Sequence, residues 1–254
     1  MLTRDKPHHL LADVHFALTL LSRLPLPQSG LAHRGAGAAW AWPVAGAVIG
    51  ALAASVAVLA LALGLTPGIS AALSLAATAL LTGAMHEDGL ADTADGLWGG
   101  WTRARRLEIM KDSHTGSYGV LALVLVTLVR WSALSSLLEA GGGFAAVIAV
   151  ACLSRAPMAV LMAWLPNARA GGLSQSVGRP GAGTAATALL IGGVVSFGLL
   201  GWHTVAVALA VAFVCLTLGL IARAKIGGQT GDILGASQQL AEAAALCALA
   251  AHVA

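Results

Sequence analysis

The succession of long apolar runs constrains this chain most. Such runs lie near residues 39–64, 69–85, 119–138, 144–165, 184–201, 203–222 and 233–252, with polar segments between them. Each is close to the roughly 20 residues that carry an α-helix across a bilayer. Hydrocarbon offers the backbone no partners, so a spanning segment must satisfy its own hydrogen bonds, and helices do so. Composition removes the competing picture of an alanine-rich soluble protein. Only 10% of the residues are charged and 58% are hydrophobic, whereas soluble domains carry about 25% charged residues. The expectation is an all-α, polytopic integral membrane helix bundle of about seven transmembrane helices. Residues 1–254 are read as one membrane-embedded domain, with the lipid bilayer as its surroundings.

The polar residues are unevenly distributed. Of the 14 Lys and Arg residues, twelve fall in four segments: Arg4, Lys6, Arg23 and Arg34; Arg103, Arg105, Arg106 and Lys111; Arg169 and Arg179; Arg223 and Lys225. The connections near 65–68, 139–143 and 201–203 hold none. Basic loops stay on the cytoplasmic side, so the N-terminus and the segments 86–118, 166–183 and 223–232 are expected there. Leu10, Val14, Leu18 and Leu21 recur at helical spacing, which predicts an amphipathic interfacial helix over 8–24. Asp13 and His15 break the apolar core that a signal peptide would need. Cys152, Cys215 and Cys247 sit inside apolar runs and read as small packing residues. No basic run with interleaved aromatics points to nucleic acid.

The acidic residues are few and clustered. Residues 86–96 read His-Glu-Asp-Gly-Leu-Ala-Asp-Thr-Ala-Asp-Gly, and Asp88, Asp92 and Asp95 stand at i, i+4 and i+7. On a helix they share one face, where like charges repel unless a cation sits among them. Hard oxygen ligands suit Mg²⁺ or Mn²⁺. Mg²⁺ is typically held by one or two carboxylates together with substrate phosphates, so a nucleotide diphosphate is the natural substrate group.

Two further polar motifs share that face of the membrane. Arg105, Arg106 and Lys111 are suited to neutralising phosphate oxygens, while Arg103 reads as a headgroup anchor. Asp112, Ser113 and His114 follow, and a histidine beside an aspartate is a candidate for proton transfer. Gly227-Gly228-Gln229-Thr230-Gly231-Asp232 opens the last span, where glycines admit close backbone approach and a helix N-terminus favours anions. Arg130, Arg155 and Glu242 lie within spans, where ionisable side chains face partners or a watery cavity. Arg155 either reaches a polar cavity or pairs with Glu242.

Taken together, the 86–96 motif, Glu108-Ile109-Met110-Lys111-Asp112-Ser113, Gly227 to Gly235 as GGQTGDILG, and Arg23-Leu24-Pro25-Leu26-Pro27 resemble the cobalamin synthase family, also called adenosylcobinamide-GDP ribazoletransferase. Trp42-Pro43 matches more loosely, since the family more often has phenylalanine before that proline. The resemblance implies that alpha-ribazole, or its 5′-phosphate, attacks adenosylcobinamide-GDP and releases GMP, with Mg²⁺ as cofactor, in the bacterial inner membrane with the site facing the cytoplasm. A homo-oligomer is compatible with it. It implies catalytic roles for Asp88, Asp92, Asp95, Asp112 and His114, with Asp88, Asp92 and Asp95 as metal ligands. Substrate contacts fall to His86, Arg105, Arg106, Lys111, Ser113, Arg155, Gly228, Gly231 and Asp232.

Two rival readings fit less well. A CDP-alcohol phosphotransferase needs Asp-Gly-x-x-Ala-Arg, and Asp88-Gly89 is followed here by Leu-Ala-Asp-Thr. A secondary transporter predicts a midplane site and repeats, whereas the polar motifs here gather at one face.

Overall fold

The computed structural model describes residues 7–27 and 34–252; Arg4 and Lys6 lie outside them. The elements are α1 (Pro7–Leu21), a 3₁₀ segment (Gly35–Ala41) running into α2 (Trp42–Ala62), α3 (Pro67–Thr82), α4 (Met85–Gly99), α5 (Arg103–Ile109), α6 (Ser117–Glu139), α7 (Gly143–Leu153), α8 (Ala156–Trp164), α9 (Leu173–Val177), α10 (Ala182–Leu200), α11 (His203–Ile226) and α12 (Gly231–Ala250). Among the described residues, six helical stretches are long and apolar enough to cross a membrane: Gly35–Ala62, Ser117–Glu139, Gly143–Trp164, Ala182–Leu200, His203–Ile226 and Gly231–Ala250. The 16-residue α3 is shorter than these and makes up a seventh only together with α4, as a bent pair. The protein is an all-α polytopic membrane bundle.

α3 does not continue straight into α4. The two helices meet at 89°, because Gly83 (φ 65°) and Ala84 (φ 55°) are both left-handed. Glycine adopts that conformation freely, whereas alanine holds it at a cost of about 1 kcal/mol. The bend has a physical reason. α4 carries Glu87, Asp88, Asp92 and Asp95, which hydrocarbon would not solvate. Turning sideways takes α4 out of the spanning direction and lays it against α6 and α12.

Small residues set the closest helix contacts, as expected where lipid removes the hydrophobic drive for packing. Gly46 and Gly50 on α2 face α7: a Cβ at Gly46 would lie 2.2 Å from the Ala151 carbonyl, and one at Gly50 2.7 Å from the Ala151 Cβ. α4 and α12 cross in the same way at Gly89 and Gly235, where a Cβ on either would come within 3.4 Å of the other's Cα.

α1 is the expected N-terminal apolar helix. It ends at Leu21 and buries Ala12, Asp13, Ala17 and Leu21, while Leu10 is exposed. It packs on the 3₁₀ segment and α2. Asp13 anchors it there: its carboxylate accepts from the Trp40 indole at 2.8 Å and pairs with the Arg34 guanidinium. A carboxylate that interrupts an apolar pattern is therefore the tether of the helix.

At one end of the bundle the polar connections are knitted together. Arg103 donates to the carbonyls of Ile226 (2.8 Å) and Ala168 (2.9 Å). Lys225 donates to the Leu97 carbonyl at 2.8 Å. Gln229 and the 166–168 segment exchange backbone bonds, Gln229 N to Pro166 O and Ala168 N to Gln229 O, both 2.8 Å. Arg103 is thus a clamp between loops, and not the headgroup anchor expected of it.

Candidate active site

The acidic motif is helical, as its spacing predicts, and α4 presents Asp88 and Asp92 one turn apart. Asp95, a further turn on, is buried and turned to another task. Its carboxylate accepts from Gly116 N (2.7 Å) and Gly119 N (2.9 Å). These are donors at the N-terminus of α6, which has no side-chain cap of its own. A carboxylate there satisfies orphan N–H groups and complements the helix dipole. Gly116 and Gly119 make room for it, since a Cβ on either would come within 2.6 Å of its oxygens. Of the three expected ligands, Asp95 thus also caps α6. Among the described residues, no three His, Cys, Asp or Glu side chains converge as a complete metal-binding group.

A different carboxylate joins the pair. The Gly89–Gly235 crossing brings the N-terminus of α12 beside α4, and a Cβ at Gly89 would lie 2.9 Å from the Asp232 carbonyl. Thr230 caps α12, its hydroxyl accepting from Ile233 N at 3.3 Å. Asp232 is thereby free of capping duty and pairs with Arg169 at 3.2 Å. The proximity is felt by Asp92 on α4, outside the spans. Burial first, then the charges of Asp88, Asp232 and Asp95, push its carboxyl up to about 7, against the opposing pull of Arg169. Crowded carboxylates with hard oxygen donors fit a divalent cation in chemistry, and they fit Mg²⁺ in number only if phosphate oxygens complete the shell.

Beneath Asp88 and Asp232 lies a cavity of about 210 Å³. Its walls come from α1 (Leu20, Leu21), the start of α2 (Trp42), α4 (Met85, His86), α8 (Met158, Met162), α9 (Leu173, Ser174, Val177) and α12 (Leu234), and Arg169 and Gly231 stand with the two aspartates among its polar residues. His86, expected as a substrate contact, is buried in this wall, while Gly231 has open space where a side chain would be.

Other expected residues lie elsewhere. Asp112 and His114 pair at 2.7 Å on an exposed loop and do not line the cavity. Their mutual hydrogen bond holds the Asp112 carboxyl below, and raises the His114 imidazole above, the usual value. Lys111 and Ser113 are exposed in the same segment. Arg105 pairs with Glu108 at 2.8 Å, and Arg106 donates to the Lys225 carbonyl at 3.1 Å. Gly228 gives room to protein and not to a ligand: a Cβ there would sit 2.0 Å from the Pro166 carbonyl.

Arg155 is fully buried and does not line the cavity; its Nη1 donates to Ala151 O at 2.8 Å. Nor does it bond to Glu242, which is held by Arg130 at 2.5 Å. Arg130 also donates to Gln239, and Gln239 donates to Glu87 on α4 at 3.0 Å. Gln238 completes the group by donating to Glu242 at 2.5 Å. This buried network ties α4 to α6 and α12. Sequence reading missed Arg169, Glu87 and the two glutamines as members of these clusters. Only the adjacency of Gln238 and Gln239 to Glu242 in one apolar helix could have signalled the network.

Fold and site together define an integral membrane protein with an acidic cluster above an apolar cavity, at the end of the bundle where the basic loops gather. The chain belongs to the cobalamin-5-phosphate synthase family, whose model matches residues 13–250. It is 45% identical over 246 residues to the adenosylcobinamide-GDP ribazoletransferase of Bradyrhizobium diazoefficiens, covering 96% of this chain and 95% of that one. The protein of that name from Sinorhizobium medicae is 46% identical over 250 residues, covering 94% of this chain and 95% of its own. The one from Mesorhizobium japonicum is 41% identical over 241 residues, covering 94% and 93%. No solved structure matches the chain.

Proposed function

We propose that the chain catalyses the adenosylcobinamide-GDP ribazoletransferase reaction, a late step of cobalamin biosynthesis. A ribose hydroxyl of alpha-ribazole, or of its 5′-phosphate, attacks the phosphorus that carries the cobinamide. The bridging phosphorus–oxygen bond breaks and GMP leaves. The observation that carries this reading is the meeting of Asp88, Asp232 and Arg169 at an apolar cavity, with Asp92 within electrostatic reach of all three. Phosphoryl transfer needs positioning and charge neutralisation more than covalent help from the protein. Asp88, Asp92 and Asp232 would hold Mg²⁺ together with the diphosphate. The ion would neutralise charge that develops on the phosphates. Arg169 and the open backbone at Gly231 would hold the diphosphate against the N-terminus of α12.

Incubating the purified protein in detergent with both substrates tests the reaction. GMP and a cobalamin product should form in equal amounts with Mg²⁺ and not after chelation. Turnover unchanged by chelation would remove the metal from the reading, and absence of product in every condition would remove the reaction.

We further propose that the protein lies in the bacterial inner membrane with this site toward the cytoplasm. The basic residues of the described loops all gather at the site's end of the bundle, in line with the positive-inside rule. Cysteine introduced at Gly142 should react with an impermeant maleimide added to intact spheroplasts, and cysteine introduced at Thr102 should react only after lysis. The reverse pattern would overturn the orientation.

A further inference from the structure

We propose that the cavity under Asp88 and Asp232 is the subsite for the base of the acceptor substrate: a flat, largely apolar heteroaromatic ring of the benzimidazole kind, whose attached ribose is left at the carboxylates. The inference rests on the reaction proposed above and adds which part of which substrate the cavity takes.

Size and lining narrow the choice. A space of about 210 Å³ is too small to enclose a corrin ring. Its apolar lining includes Leu20, Leu21, Met158, Met162, Val177 and Leu234. A guanine edge carries several donors and acceptors, and such walls would leave most of them buried without partners, which is costly. A lipid acyl chain fits apolar walls but ignores two nitrogens. Trp42 Nε1 and His86 Nε2, on residues that line the cavity, are buried with no hydrogen-bond partner. The indole N–H is a donor only, so its complement is an acceptor. A benzimidazole riboside has one unprotonated ring nitrogen on an otherwise apolar ring. It therefore supplies an acceptor without burying a donor. Thioethers also pack favourably at aromatic ring edges, and Met85, Met158 and Met162 all face this space. The polar end of the cavity then fixes the direction of binding: base inward, ribose hydroxyls outward beside Asp88 and Asp232.

The test separates the two substrates. Steady-state rates are measured with each varied in turn, and binding of alpha-ribazole to the purified protein is measured by equilibrium dialysis. Met162→Trp fills the cavity. It should raise KM for alpha-ribazole and weaken its binding by at least about tenfold, the equivalent of 1.4 kcal/mol, with KM for adenosylcobinamide-GDP unchanged. Trp42→Phe keeps an aromatic ring and removes the N–H. It should raise the same KM by about 2- to 12-fold, the range of one net hydrogen bond, and it serves if the first variant does not fold. Variants that raise KM for the donor alone would assign the cavity to the donor, and unchanged constants for both substrates would exclude it from binding; either overturns the proposal. A wild type that binds alpha-ribazole, loses that binding on Met162→Trp and yet turns nothing over would keep the subsite and lose the reaction.

Discussion

Asp88→Ala should lower kcat by about 10³-fold or more, on the scale of losing a preorganised electrostatic contact to the transition state, in protein that inserts and folds normally. Asp88 is exposed at the cavity mouth and makes no bond that stabilises the bundle. Removing one charge from a crowded acidic face relieves repulsion on Asp92, so metal-free stability should hold or rise. Asp95→Ala should do the opposite. It strips two donors at the start of α6 of their acceptor, which should cost about 1–2 kcal/mol, the upper range for losing a helix cap. Its Mg²⁺ dependence should stay that of wild type. Melting temperature and a Mg²⁺ titration of the rate, measured on both variants, separate the roles. Near-normal turnover in Asp88→Ala would end the metal-site assignment, and a shifted Mg²⁺ requirement in Asp95→Ala would return Asp95 to the ligands.

The second large effect lies deeper in the bundle. Arg130→Met should cost about 3–5 kcal/mol, the penalty for stranding a buried charge. It leaves Glu242 without its cation and takes from Gln239 the guanidinium it accepts from. Yield of monodisperse protein after detergent extraction should collapse. Arg130→Met combined with Glu242→Met should recover most of it, since a buried pair replaced by apolar groups is close to neutral. A single variant that melts like wild type would show that the network carries no stability. A double variant no better than the single would show that Arg130 acts through Glu87 and not through Glu242.

Much of this architecture is legible from the sequence, and the reasons for the gaps are specific. Span number follows from run length and from the placement of Lys and Arg, because hydrocarbon forces both. The helical spacing of Asp88, Asp92 and Asp95 is likewise readable. What each carboxylate does is not: Asp95 differs from Asp92 only in facing Gly116 and Gly119, and that depends on how α6 docks. Gly89 and Gly235 sit within motifs that suggest phosphate binding, yet their structural service is to let α4 and α12 touch. The cavity walls were unreadable for a related reason. In spans that are apolar all round, hydropathy does not tell the packed face from the lipid face, so Met158 and Met162 resemble their neighbours. The bend at Gly83 and Ala84 gives no stronger sign than one glycine before a polar run.

The dependence of the site on α12 has a consequence in time. Chains leave the ribosome from the N-terminus onward, and of the described helices α12 is made after all the others. The acidic face of α4 exists early, but Asp232 and the glycine that lets it approach arrive only when the final span enters the bilayer. A chain that stops before α12 can therefore be well anchored by the earlier spans and still lack Asp232 beside α4. Activity should begin only once α12 has entered the bilayer and brought Asp232 beside α4.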